Sequence, residues 1–424
     1  MTLAQILMLV VLALMISGKT PLYLTAIIGA TIAGLAAGFP LSGGEDVTIV
    51  SLLNAGLHPV IVDMAGVLLF IGIMEKAGFL DVIIKKVIEV GRKVGAGPGV
   101  CTAGGIAAGI IGALTGFTQP AITASITGPA AIKLGVDPHK TAGVQAHAGH
   151  LGNFGGFTHP TMVAVIATAG ITYGLINVFG AITALSVFAI SYFRLKKEEK
   201  AKGIKLDDEE IKEIVAEFEE TSGEISFGKA IFPFLVLLVL FIFGYPVFLV
   251  GILAALLVVF LARMPFFDGE KAMLGGLTRI ATPLVATVGF LYMSGVIREV
   301  GLVAVVSELF DPALRVAPLI IMLLVSALTG LFTQSLAASA AIIIPFLEVV
   351  LGTGVSPLAA AVPAVGGAAL TQYYLTGGPV AALATAIPVV PGSELKAANR
   401  FQRPSILGGV AVLFIITLLL MIIM

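Results

Sequence analysis

Tryptophan is absent from this chain, and cysteine occurs once, at Cys101. A single cysteine excludes an internal disulfide and a thiolate metal cluster. Its glycine- and alanine-rich surroundings make it a small packing residue. Charge is scarce as well. Asp, Glu, Lys and Arg make up 12% of the sequence, against roughly a quarter in soluble domains, so little of the surface can face water. The formal net charge is -1, and no basic-aromatic patch is present, so nothing points to nucleic acid. Enzyme motifs are missing too: there is no H-E-x-x-H, no Walker motif, no dinucleotide fingerprint and no serine-histidine-acid arrangement. A-G-G-I-A-A-G supplies packing glycines, since neither a strand nor a lysine follows it.

What the chain does hold is apolar. Hydrophobic residues reach 58% and mean hydropathy +1.08, with 50 Gly and 21 Pro. That composition fits helices that pack closely or are interrupted within lipid. The class is an all-α polytopic membrane protein of about 10–12 spans, its bilayer expected to be the cell inner (plasma) membrane. Without tryptophan, the interface belt falls to Tyr and Phe. The first apolar segment, Leu3 to Ile16, lacks a basic n-region and is followed by further segments, so it reads as a retained helix.

One unusual string organises the chain. Gly112 to Thr127 reads G-A-L-T-G-F-T-Q-P-A-I-T-A-S-I-T, and Ser326 to Ala341 reads S-A-L-T-G-L-F-T-Q-S-L-A-A-S-A-A. Each interrupts a long apolar run with hydroxyls, glycine or proline, as a re-entrant hairpin would. Two more landmarks recur in the same order: G-I-M-E-K-A-G at Gly72–Gly78 with G-V-I-R-E-V-G at Gly295–Gly301, and A-V-I-A-T-A at Ala164–Ala169 with A-A-L-A-T-A at Ala381–Ala386. The chain is therefore expected to be duplicated. Residues 1–193 form a first membrane repeat, 194–228 a hydrophilic linker and 229–424 a second repeat with a terminal helix. Inverted repeats are favoured, because broken elements duplicated near the membrane centre usually enclose a transport site that way.

Along the first half, Pro40 to Gly56 reads as a polar-leaning connection too mixed to span. Asp81 to Lys93 reads as an interfacial amphipathic helix whose basic residues favour the cytoplasm. Glycine-rich breaks follow each hairpin, at Gln145–Pro160 and Gly366–Pro379. The linker carries Lys196, Lys197, Lys200, Lys202, Lys205 and Lys212 among eleven acidic residues. Ile406 to Ile423 reads as a terminal span with no repeat partner assigned.

A broken helix leaves backbone N–H groups and the positive end of a half-helix dipole, which suit a carboxylate or another anion. Thr115, Thr118, Gln119 and Thr123 supply side chains in the first hairpin; Thr329, Thr333, Gln334 and Ser339 do so in the second. The same oxygens could hold Na+, a hard cation, with Thr118, Asn153, Thr333 and Thr376 as candidates. Isolated Ser or Thr in such helices mostly serves packing or bonds to the preceding turn; two matching clusters argue for more. His147 and His150 lie one turn apart, with His159 further on. Hydrogen bonds to an anion, a proton relay and structural bonds across a packed interface all remain open for them, while H-x-x-H alone is a poor metal site. Asn153, and Thr371, Gln372 and Thr376 in the second break, complete the candidate substrate set. Asp63, Glu75, Glu299 and Glu348 are the carboxylates within membrane segments, and none lies in a hairpin tip. That favours a bound anion with Na+ or H+ as coupling ion over a proton antiporter.

The two hairpin strings and the duplicated halves resemble the ion transporter superfamily, which includes gluconate permeases, citrate and C4-dicarboxylate carriers and some Na+/H+ antiporters. The tips read Thr118-Gln119-Pro120 and Thr333-Gln334-Ser335 rather than the serine-asparagine-threonine signature of the divalent-anion/sodium branch. The resemblance implies a homodimer with a scaffold and a mobile transport domain, here about 100–170 plus 315–390, moving in an elevator-like step. It implies secondary active transport of a small organic anion (a carboxylate) driven by Na+ or H+. The alternative on the same architecture is a Na+/H+ antiporter, in which a carboxylate such as Asp63 faces the central cavity. A channel or non-transporting scaffold is the third class. No cofactor is expected beyond bound Na+.

Overall fold

Gly78 and Gly301 occupy matching places in the two halves, each in the left-handed region at φ 70° and 77°. Each separates a long helix from an amphipathic one, and any other L residue there would be strained. The computed structural model describes residues 1–17, 19–44, 47–115, 120–202, 225–375 and 386–423. Among the described residues every regular element is helical.

The first half comprises α1 (Leu3–Ser17), α2 (Leu22–Ala36), α3 (Ile49–Ala55), α4 (Val60–Lys76), α5 (Phe79–Val94), α6 (Ala96–Thr115), α7 (Pro120–Lys133), α8 (Pro138–Ala146), α9 (Ala148–Phe154), α10 (Pro160–Ala169) and α11 (Leu175–Lys202). The second comprises α12 (Phe227–Ile242), α13 (Val247–Ala262), α14 (Phe266–Gly276), α15 (Ala281–Glu299), α16 (Leu302–Leu314), α17 (Pro318–Thr333), α18 (Leu336–Leu351), α19 (Pro357–Thr371) and α20 (Leu395–Ile423).

Four stretches are each long and apolar enough to cross a bilayer: Ile49–Lys76, Ala96–Leu114, Leu175–Ala201 and Leu395–Ile423. The pair α16 and α17 bends through 118° at its junction, where Pro318 opens α17. The other apolar helices have 10–17 residues, short of the roughly 20 that cross the hydrocarbon core, and they include the hairpin arms and broken pieces. The outer faces carry exposed Leu, Ile and Phe, such as Leu249, Phe260 and Ile422, which only lipid or another apolar surface can cover.

Two expectations change. Pro40 to Gly56 is not all connection, because α3 forms within it under a capping box in which Thr48 and Ser51 exchange bonds of 2.9 Å. The linker begins as a continuation of α11 as far as Lys202, and residues 203–224 lie outside those described. α20 is far longer than its apolar run, starting at Leu395, and it packs on α11, the last helix of the other half.

The halves exchange contacts reciprocally. α4 packs on α13 and α14, while its counterpart α15 packs on α2 and α3. This crossed pairing is what two repeats related by a two-fold axis produce. The α4–α13 crossing is backbone on backbone: a methyl at Gly66 would lie 2.5 Å from Phe248 Cα, and one at Gly251 would lie 2.3 Å from the Gly66 carbonyl. Small residues let the helices meet this closely, which is how helix pairs gain packing in lipid. Within each half the two hairpin arms pack together, α6 with α7 and α17 with α18, and the first arm lies on a piece of the following broken helix, α9 or α19.

Candidate functional site

The second hairpin tip is built by three consecutive residues. α17 ends at Thr333, Gln334 takes left-handed backbone (φ 51°, ψ 26°), and Ser335 is extended and caps α18 through its side chain. Gln334 is one of two non-glycine residues with positive φ among those described. Such backbone costs a non-glycine residue of order 1 kcal/mol or more, and it clusters where structure serves function. Thr333 Oγ1 donates to the Ser335 carbonyl at 3.0 Å and lies 2.8 Å from Ser339 Oγ, which itself reaches the Ser335 carbonyl at 2.8 Å. Three oxygens therefore converge inside one turn.

The tip is held by broken elements of both halves. Leu336 N, at the start of α18, donates to Gln372 Oε1 at 2.9 Å, and Gln372 stands just past the end of α19. Thr161, in the first turn of α10, donates its hydroxyl to the Leu336 carbonyl at 3.1 Å. The first break is tied to its own hairpin as well: Phe157 N donates to the Ala113 carbonyl at 2.9 Å, and Thr158 Oγ1 to the Leu114 carbonyl at 3.3 Å. At the opening of α18, Leu336 N goes to Gln372, Ala338 N to Ser335 Oγ and Ser339 N to the Ser335 carbonyl. The expected row of free donors is thus mostly occupied, and the acceptor at its head is a side-chain carbonyl from a neighbouring element.

The candidates sort into four groups. Thr333, Gln334, Ser339 and Gln372 meet at this tip. Thr371 braces it from behind, bonding the Ala327 and Gly367 carbonyls at 2.6 and 3.0 Å. Thr329 and Thr123 are buried in their arms: Thr329 donates to its own Val325 carbonyl at 2.6 Å, and the Thr123 carbonyl accepts from Thr127 Oγ1 at 2.8 Å. Thr118, Gln119 and Thr376 lie outside the described residues, and of Thr115 only the backbone, at the end of α6, is described.

His147, His150 and Asn153 form the fourth group, fully or almost fully buried between α8–α9, α11, α19 and α20. His147 Nε2 lies 2.8 Å from Ser191 Oγ, and Ser191 donates onward to Ser405 Oγ at 2.7 Å. Arg194 also donates to Ser405, at 3.1 Å. With the serine proton committed, His147 carries its proton on Nε2. His150 Nδ1 faces the Ala369 carbonyl at 3.1 Å, so its proton sits on Nδ1. Asn153 donates to the Tyr373 hydroxyl at 2.9 Å. His147 Nδ1 and His150 Nε2 have no protein partner. This cluster joins the tip through Ala369, whose carbonyl also accepts from Gln372 Nε2 at 3.2 Å.

Thr158 and Thr161 were passed over in the sequence. The signal was the string T-H-P-T, Thr158 to Thr161, where a proline opens a helix after a capping residue; His159 Nδ1 does cap Thr161 N at 3.3 Å. Among the described residues no group of three or more His, Cys, Asp or Glu could hold a metal.

No family model matches the chain, and no curated protein matches it in sequence. Two solved structures are similar in fold. MtrF of Neisseria gonorrhoeae, described as illuminating a class of antimetabolite efflux pumps, is 16% identical over 93% of this chain and 95% of its own, with a TM-score of 0.62. The YdaH transporter of Alcanivorax borkumensis, described as having an unusual topology, is 16% identical over 93% of this chain and 96% of its own, with a TM-score of 0.61. The likeness is one of fold and spans nearly the whole chain. It bears on the fold alone and does not single out the gluconate, citrate or C4-dicarboxylate carriers.

Proposed function

We propose that this multi-pass membrane protein is a secondary active transporter of a small organic anion, coupled to Na+ or H+. The observation that carries the reading is the second tip, where Gln372 Oε1 sits on the leading amide of α18. A substrate carboxylate oxygen could take the place of that carbonyl, receiving the same N–H and the positive end of the helix dipole. Thr333, Ser339 and the Ser335 carbonyl would then ligate Na+ beside it, or orient the anion through their hydroxyls. The first tip, Thr115 to Thr123, would close the site from the other half, with Thr376 alongside. His147, His150 and Asn153 would position Gln372 and Tyr373 from behind.

The fold likeness to MtrF and YdaH supports membrane transport, and it makes export as well as import a direction to measure. Movement would be elevator-like, with about 100–170 and 315–390 sliding against the opening helices of each half. The exposed apolar faces of those helices would meet lipid or a second copy in a homodimer. The Na+/H+ antiporter reading is less well supported, since Asp63 accepts from Phe248 N at 3.3 Å between α4 and α13 rather than standing at the tip.

Proteoliposomes with imposed Na+ or pH gradients should move one of gluconate, lactate, citrate, succinate or malate, inward or outward. Gln334→Ala and Gln372→Ala should reduce that flux at least tenfold with normal membrane insertion. Flux of Na+ against H+ with no organic anion present would instead establish the antiporter.

A further inference from the structure

A half-open cavity of roughly 690 Å3 lies away from the tip, where Arg298, Ser307, Asp311, Arg315, Glu348 and Thr353 line it among apolar residues. Glu348 is the group in it that the site above does not use. It stands in the last turn of α18, about 18 Å along the helix from the tip by the rise of 1.5 Å per residue. Its carboxylate faces α15. Ser294 Oγ donates to Glu348 Oε1 at 2.8 Å, and Arg298 Nη1 lies 3.7 Å from the same oxygen. The other oxygen, Oε2, is buried without a protein partner.

We propose that Glu348 is a proton-binding site whose occupancy decides whether hairpin arm α18 can part from helix α15. Ionised, the carboxylate is held by Ser294 and Arg298, so the arm stays against α15. If α18 slides, both partners are lost, and a charge left among apolar helices is strongly disfavoured. One proton from the cavity, added to the carboxylate, removes that penalty.

The surrounding charges permit this. Arg298 is shared, since Glu299 lies 3.4 Å away, so it does not commit fully to Glu348. Asp311 and Arg315, across the cavity, pair with each other at 2.8 Å. Glu308 and Tyr292 are the remaining ionisable residues of α16 and α15. The other helices packed on α18, which are α1, α10, α17 and α19, carry no ionisable side chain. Nor does the repeat demand a carboxylate here. The residue fourteen positions after the tip glutamine is Glu348 in the second half and Lys133 in the first, and Arg298 corresponds to Glu75. The charge pattern is reversed, so the acid belongs to this half alone.

The link to transport rests on the function proposed above, whereas the proton site does not. Infrared titration of the protein in nanodiscs, between about pH 4 and pH 9, should show a protonated-carboxyl band in the difference between wild type and Glu348→Gln, where the other carboxyls cancel. Arg298→Gln should move its midpoint to higher pH by about one unit or more, since a cation favours the charged form. In proteoliposomes, Glu348→Gln should still carry the solute but lose most of its response to a pH gradient. A difference spectrum without such a band overturns the proton site. A band that depends on Glu348 while no solute moves leaves the site standing and removes the transport function. Flux driven by a pH gradient and unchanged in Glu348→Gln overturns the proposal and leaves the function intact.

Discussion

His150 Nδ1 and Gln372 Nε2 share one acceptor, the carbonyl of Ala369, at 3.1 and 3.2 Å. A histidine buried in the first half and the glutamine that holds the second tip therefore answer to the same oxygen. Replacing Gln372 by Ala leaves the Leu336 N–H without its partner, and a buried unpaired donor costs about 1–3 kcal/mol. His150→Ala removes the other ligand of the carbonyl. Because the two act on one group, the double variant should lose less than the sum of the singles, by about 0.5 kcal/mol or more. Thermal unfolding in detergent measures this, and strict additivity would mean that the shared carbonyl does not link them.

Gln334 separates backbone from side chain. Glycine accepts left-handed backbone without penalty, so Gln334→Gly should raise stability slightly, by at most about 1 kcal/mol. β-Branched Gln334→Val should lower it by more than that. If the side chain also serves the substrate, Gln334→Gly folds well yet transports poorly. A well-folded Gln334→Gly protein with wild-type flux would confine the residue to shaping the turn.

The repeats were legible because sequence identity survives where geometry is demanding. Gln334 at the second tip and the glycines at 78 and 301 mark places where few residues fit. The α11–α20 contact was hidden, since the apolar pattern of α20 begins well after its polar first turns, which carry Asn399, Gln402 and Arg403 toward Tyr373 and Tyr374 carbonyls at 2.8–3.0 Å. The position of the histidines was not legible either. One-turn spacing puts His147 and His150 on one face, but only tertiary packing decides that the face meets Ser191 and Ala369. The same holds for Thr161: nothing local says that its hydroxyl reaches across 175 residues to Leu336.

The crossing of α4 and α13 should tolerate no side chain. With Gly66 and Gly251 within van der Waals reach of opposing backbone, Gly66→Val must push two helices of different halves apart. Overpacking of this kind typically costs about 1–3 kcal/mol, and here the neighbour is backbone rather than a movable side chain. Gly228, which has open space around it, serves as the control: Gly228→Ala should unfold at the wild-type temperature while Gly66→Val falls by several degrees or fails to accumulate.

On α5, Glu89 accepts from Lys86 Nζ at 2.7 Å and from Lys93 Nζ at 2.6 Å. Those two ammonium hydrogen bonds lower its carboxyl from an ordinary 4.5 to about 2. The folded value lies below the unfolded one, so the stabilisation is fully present above about pH 4.5 and disappears as the pH falls toward 2. All three side chains are partly or largely exposed, so salt screens the interaction and its size is small. Glu89→Gln should therefore unfold at a slightly lower temperature than wild type at pH 7 in low salt. The two should converge on acidification, and also in about 1 M salt, where the Debye length falls to about 3 Å. A gap that widens toward acid would mean that Glu89 is held by something other than its two lysines.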